Sequence, residues 1–284
     1  MINKKTLSCP VCLQNASFAF FAPAINENIF VCGHQNCEHR FIENYQTTSG
    51  LRDEEDSLDD IRLKYEARIE TYRYRNLALF ASIQENLFDT KGTIVDFGSG
   101  DGSYLEHLNH IFGLDKVIAI EGKSEFANFI QGNGFKVVDQ ISDLPDKSVS
   151  LFLLNEVIEH LPDPLAILKE IHSKLTDNGS LFIATPLGAD MNGVACAYAY
   201  MVQGHLHFFS QNSLNITLAE AGFYPLRRAR ITNPLYKDAP STTSGINLIR
   251  TKIVNFAKQA AAQKCEVYPP QHISGLTKKL LAKR

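Results

Sequence analysis

The stretch Val95-Asp96-Phe97-Gly98-Ser99-Gly100-Asp101-Gly102 decides the fold. A strand-like run, Thr93 to Phe97, passes directly into three closely spaced glycines, and a helical pattern opens near Ser103. Glycines are needed at such a turn because the backbone must bend sharply and let a ligand approach with no Cβ in the way. The helix N-terminus behind the turn offers N–H groups to ligand oxygens. A dinucleotide fingerprint, G-x-G-x-x-G, would place its third glycine at position 103. Here that position is Ser103, the third glycine is Gly102, and Asp96 stands two residues before the first glycine. Glu121 ends the next strand-like run, Val117-Ile118-Ala119-Ile120. A carboxylate at that place can accept hydrogen bonds from both hydroxyls of a ribose.

Outward from this turn the chain alternates between strand-like and helix-like segments, as expected for an α/β sheet with crossover helices. A helix is predicted over 62–87, and further strands over 135–139, 148–154 and 180–185. A helix from Pro164 to Leu175 is read as closing at Asp177-Asn178-Gly179. Ser210 is positioned to cap a helix that runs to Ala221, with Gly222 at its end. Two last strands are predicted at 223–231 and about 244–251. The organisation read from this is a small module over 1–45, a polar, acidic linker over 46–64, a main domain over 65–251, and a C-terminal helix or tail over 252–284.

Of the 284 residues, 44% are hydrophobic and 21% charged, enough apolar side chains for a sizeable core without disulfides. The net charge of −3 gives no global attraction to nucleic acid. The run Arg227, Arg228 and Arg230 is read as a solvated strand edge. No stretch reaches the roughly 20 apolar residues of a membrane span, and the N-terminus lacks a signal-peptide core, so a cytoplasmic protein is expected.

Four of the six cysteines are paired: Cys9 with Cys12 around Pro10-Val11, and Cys32 with Cys37. Brought together by a hairpin, four thiolates form a closed tetrahedral zinc site of structural character. His34 or His39 is an alternative ligand. Lone Cys196 and Cys265 read as small buried hydrophobes. A nucleic-acid-binding ribbon would interleave cations with aromatics. Residues 8–45 carry only Arg40 as a cation, against Glu27, Glu38 and Glu43, so nucleic acid is disfavoured.

The spacing hydrophobic-Asp-hydrophobic-Gly-x-Gly-x-Gly resembles motif I of the class I S-adenosylmethionine-dependent methyltransferases. Asp143 to Val149, Asn155 to Pro164, Leu175 to Pro186, and His205 to Ser210 followed by Ala221-Gly222-Phe223 resemble later segments of the same family, in its ubiquinone-type and sugar or natural-product branch. The resemblance implies a Rossmann-like, doubly wound, mostly parallel seven-stranded sheet, with the zinc-ribbon-like module in front. It implies that Asp96, Gly98 and Gly100 surround the methionine and ribose of the cofactor S-adenosyl-L-methionine, that Glu121 holds the ribose, and that Gly122 passes the adenine. Gln140, where the family often has Asp, and Ile141 would line the adenine; Asn155 would approach the methionine end. Tyr72, Tyr74 or Arg75 would touch the cofactor carboxylate.

The family's chemistry then implies a small-molecule or sugar-containing acceptor, methylated at oxygen. A general base assists loss of a hydroxyl proton. His160, His205 and His207 are the candidates. Alternation puts His205 and His207 on one face; they would look like metal ligands, but no third partner is evident in the sequence. Tyr198, Tyr200 and Met201 read equally as an acceptor lid or as packing. The alternatives are an RNA or protein methyltransferase guided by the zinc module, and a non-catalytic binding protein of the same fold.

Overall fold

The computed structural model describes residues 6–48, 50, 57–69, 92–188, 199–200, 202–231 and 272–279. Tyr72, Tyr74, Arg75, Cys196, Tyr198, Met201, Cys265 and the strand predicted at 244–251 lie outside these residues.

The main sheet is built from β5 (Thr93–Phe97), β6 (Val117–Ile120), β7 (Lys136–Val138), β8 (Val149–Asn155), β9 (Leu175–Pro186), β11 (Phe223–Ile231) and β12 (His272–Lys279), in the order β11-β12-β9-β8-β5-β6-β7. The five strands from β9 to β7 are parallel, and β12 joins β9 antiparallel. From β5 the chain winds outward through β6 and β7, then returns to β8 on the other side of β5. The carboxyl ends of β5 and β8 therefore flank the topological switch point, where ligands of open α/β sheets bind.

Alternating side chains cover both faces. Val95, Phe152, Leu154, Leu181 and Ile183 pack on one side with α4 (Pro164–Lys174) and α5 (Gln211–Glu220). Ile94, Ala119, Leu151, Leu153 and Phe182 pack on the other with α2 (Ser103–Phe112), and α3 (Ser124–Gly132) adds Ile130 there. Burial along β8 gives Leu151, Phe152, Leu153 and Leu154 each about 1.5–3 kcal/mol of hydrophobic stabilisation.

Three local readings change. The first described helix, α1, covers 58–69, so the predicted linker already holds its first turn. The Asp177-Asn178-Gly179 stop is instead part of β9: Leu175 pairs with Val149, and the register then jumps to Leu151 opposite Ser180. A buried Leu175 thus starts the strand, and 176–179 loop out of the ladder. The strand beside β9 is His272–Lys279, in the segment read as tail, and it pairs with both β9 and β11. β11, with Arg227, Arg228 and Arg230, is the edge strand of the sheet.

A second sheet contains β1 (Thr6–Ser8), β2 (Asn15–Ala22), β3 (Glu27–Cys32), β4 (Arg40–Ile42) and β10 (His207–Phe208). Its last strand comes from the far side of the sequence: His207 pairs with Phe41 and Phe208 with Arg40. Ala22, Ile29 and Ile42 share one core with Tyr200, Leu206 and Phe208. The N-terminal segment is thus fused to the region between β9 and α5 by both a ladder and a core.

Candidate functional site

The glycine turn leaves β5 with Gly98, Gly100 and Gly102 all at positive φ, +72°, +55° and +76°, a region costly to residues with a Cβ. Gly98 N–H donates to the Ile120 carbonyl at 2.8 Å, pinning the turn to the end of β6. A Cβ on Gly98 would lie 2.7 Å from Val157, so the loop after β8 is packed on the turn. Asp101 Oδ1 accepts from Ser103 N–H at 3.0 Å at the start of α2, and its Oδ2 pairs with Arg68 of α1 at 2.8 Å. Tyr65, also on α1, donates to Glu106 at 2.8 Å. These contacts hold α1 beside the turn.

Glu121 is buried and accepts two backbone hydrogen bonds, from Gly100 N–H at 2.7 Å and Lys123 N–H at 2.9 Å. Burial pushes its carboxyl upward, and those N–H donors oppose the shift. Asp96 is more deeply buried; desolvation, with the nearby Glu121 and Asp101 charges adding to it, raises its carboxyl to about 7. A Cβ on Gly100 or on Gly122 would meet nothing within 4 Å. Two carboxylates, backbone donors and open space at these two glycines fit a ribose-bearing cationic cofactor. Ile141 is buried, in one core cluster with Ile118 and Ile120 of β6. Gln140 is exposed, with its amide toward Asp143 at 3.4 Å in a small capping box. Asn155 ends β8, half-buried.

On the other side of the switch point, Glu156 follows β8 with φ +60°, uncommon for a residue with a side chain. A short turn over Ile158–His160 then presents Glu159 and His160. The structure gathers Glu159, His160 and His205, whose ligand-type atoms lie within 4.8 Å of one another. Glu159 Oε2 accepts from Thr185 Oγ at 2.8 Å, and Oε1 is 4.0 Å from His205 Nε2. His160 Nδ1 is 2.8 Å from the Gly204 carbonyl and His205 Nδ1 is 2.8 Å from the Ala199 carbonyl. A carbonyl can only accept, so both Nδ1 atoms carry the proton.

His207 does not join this group. It is buried, with Nδ1 3.1 Å from Nε2 of His39, and burial depresses it to about 4. The expectation that alternation puts His205 and His207 on one face fails because the strand covers only His207–Phe208, so His205 lies before it. The partner that the His-x-His pair lacked in sequence is supplied to His205 by Glu159 and His160. The adjacency of Glu159 to His160 was the available signal for it. Tyr200 stacks on Phe208, donates to the Gly188 carbonyl and is buried, which is the packing role.

Cys9, Cys12, Cys32 and Cys37 form a second cluster, with sulfurs within 4.8 Å of one another. The Cys9–Cys37 and Cys12–Cys32 separations are 3.9 and 3.4 Å. A tetrahedron with metal–sulfur bonds of about 2.3 Å has edges of about 3.8 Å, so the donor set fits such an ion. His34 N–H points at Cys32 Sγ at 3.4 Å. The His39 ring faces Ser213 and His207 instead of the thiols.

No curated protein matches the chain. Among solved structures, an S-adenosylmethionine-dependent methyltransferase from Archaeoglobus fulgidus is 19% identical with a TM-score of 0.52, over 76% of this chain and 99% of its own. The geranyl diphosphate C-methyltransferase of Streptomyces coelicolor is 14% identical at TM-score 0.51, over 72% and 77%. The mitomycin 7-O-methyltransferase MmcR is 13% identical at TM-score 0.52, over 82% and 61%. At these identities the likeness establishes the fold. A family model described as "Methyltransferase domain" matches residues 69–227, more than half of the chain. The chain belongs to that family and has the fold of the class I S-adenosylmethionine-dependent methyltransferases.

Proposed function

We propose that the chain transfers a methyl group from S-adenosyl-L-methionine to an oxygen of a small-molecule or sugar-containing acceptor. The observation that carries the cofactor is the corner formed by Asp96, the Gly98–Gly102 turn and Glu121, with open space at Gly100 and Gly122. Asp96, Gly98 and Gly100 would face the methionine part and ribose, Glu121 the ribose hydroxyls, and Gly122, Gln140 and Ile141 the adenine; Asn155 would stand at the methionine end. The cofactor brings an activated methyl on a sulfonium. What this chain's residues add is alignment, whose effect in well-oriented systems reaches about 7–11 kcal/mol.

The acceptor belongs beside the Glu159–His160–His205 cluster, at the carboxyl edge of β8. A hydroxyl acceptor sheds a proton as the bond to methyl forms. Of the three histidines considered for that proton, His160 and His205 stand here, whereas His207 serves the attachment of the N-terminal sheet. The sheet's four cysteines are read as a structural zinc site of Cys9, Cys12, Cys32 and Cys37. With Arg40 as the only cation in residues 8–45, turned toward Tyr200 at 3.4 Å, the module supports a roof over the acceptor side in preference to RNA binding.

The test uses S-adenosylmethionine labelled in its methyl group, incubated with wild-type protein and three acceptor pools: a small-molecule filtrate, total RNA and total protein. Label should enter the filtrate in a base-stable, ether-like linkage. Label confined to RNA or to protein would contradict the acceptor assignment, and no transfer with no cofactor binding would favour a binding protein of the same fold.

A further inference from the structure

Glu159, His160 and His205 each have a side-chain hydrogen bond that fixes their orientation. Thr185 Oγ holds Glu159 Oε2, the Gly204 carbonyl holds His160 Nδ1, and the Ala199 carbonyl holds His205 Nδ1. Ligands of a metal ion are oriented in this way, the imidazole giving its other N–H to a backbone carbonyl and the carboxylate being hydrogen-bonded in turn. With Nδ1 giving its proton to a carbonyl, the neutral form of each ring holds its lone pair on Nε2. His205 Nε2 faces Glu159 Oε1 at 4.0 Å, an ion-pair contact when the ring is protonated and too long for a hydrogen bond. The same separation falls within the spread of two ligand atoms each about 2.1 Å from a shared ion.

We propose that Glu159, His160 and His205 bind one divalent first-row transition ion, separate from the four-cysteine cluster. Two imidazoles and one carboxylate select such an ion over magnesium or calcium and leave coordination positions open. His160 is only partly buried, so the site has a side toward solvent, whereas Glu159 and His205 are enclosed. The open side would take an acceptor that presents a hydroxyl or two neighbouring oxygens, and there the ion, in place of a histidine lone pair, would acidify that hydroxyl. That last clause rests on the methyl-transfer reading; the ion site itself does not.

The construction links the site to the N-terminal sheet. His205 and the Gly204 carbonyl are set by the segment that enters β10, and β10 is held by β4 and by the His39–His207 hydrogen bond. Gly204 has φ +85°, and a Cβ there would lie 2.7 Å from the Gly50 carbonyl and 3.3 Å from His160 Nδ1. Gly50 is packed as tightly on the His160 backbone. His205 thus stands just before β10, the strand that joins the cysteine-bearing sheet.

The probe is Mn2+ alone, which thiolates bind poorly, titrated by electron paramagnetic resonance into protein purified with its native metal content. The account predicts one saturable site, imidazole nitrogen modulation in the spin-echo spectrum of the wild type, and at least tenfold weaker binding in Glu159→Gln and His205→Ala. S-adenosylhomocysteine affinity of the same variants reports whether they are folded. Absence of saturable Mn2+ binding, absence of imidazole nitrogen around bound Mn2+, or unchanged binding in both folded variants would overturn it. Failure of the cofactor reading would show instead as lost S-adenosylhomocysteine binding with Mn2+ binding intact.

Discussion

The two sides of the switch point are built by different rules. The proposed cofactor corner is local: Asp96, Gly98, Gly100 and Glu121 lie within one β-turn-α-β unit, and hydrogen bonds such as that from Gly100 N–H to Glu121 close it on itself. The proposed acceptor side is assembled from distant pieces. His39 meets His207, Gly50 packs on His160, Thr185 holds Glu159, and β4 pairs with β10. A local site tolerates damage elsewhere, while a composite one depends on every segment that contributes to it. Perturbations should therefore separate the two.

The largest separation is expected from the cysteine cluster. The double variant Cys9→Ser/Cys12→Ser removes half of the donor set of the proposed zinc site; structural zinc contributes apparent folding energies of order 10 kcal/mol in small zinc modules. Differential scanning calorimetry should show the N-terminal sheet melting about 10 °C or more earlier, and hydrogen exchange should rise in 205–210 while the β5–β6 strands stay protected. Protection unchanged in 205–210 would mean the ladder between β4 and β10 does not couple the regions.

A smaller effect is expected from Gly204→Ala. The positive φ and the Gly50 carbonyl in its way make the substitution strained, at about 1–3 kcal/mol. Mn2+ binding should weaken and S-adenosylhomocysteine affinity should stay within twofold of wild type. Unchanged thermal stability would show that Gly50 moves aside freely.

The smallest effect concerns pH. The Asp96 carboxyl in the folded protein titrates near 7, above its ordinary value of 3.8, so the folded state holds a proton that the unfolded state has released between those values. Its contribution to stability is present below about pH 4 and is lost as pH rises toward 7. Cofactor binding has the opposite sign if the cationic end meets an ionised Asp96: affinity should fall up to tenfold between pH 7 and 6. Asp96→Asn should flatten both trends; parallel pH profiles for wild type and variant would reject Asp96 as the titrating group.

The same contrast explains what was legible in the sequence. The displaced third glycine at Gly102, Asp96 before it and Glu121 after it marked the proposed cofactor corner in the sequence because the relevant spacings are short and each is set by one turn or strand end. His205 and His207 looked alike in a two-residue alternation, but a two-residue strand does not enforce a common face, and tertiary partners decided their roles: Glu159 and His160 for His205, and His39, 168 positions away, for His207. β12 was missed because His272–Lys279 pairs with strands on both sides and shows no long apolar run to mark it. The 176–179 bulge shows the same priority of packing: the burial of Leu175 overrode a good helix-stop sequence.

The central claim is that cofactor binding resides in the local corner and is independent of the composite side. Calorimetric titration with S-adenosylhomocysteine of wild type, Glu121→Ala and His205→Ala tests it most directly. The account predicts one site of equal affinity in wild type and His205→Ala, and at least 100-fold weaker binding in Glu121→Ala, about 2.8 kcal/mol. Equal heats in all three proteins, or no detectable heat in the wild type, would contradict it.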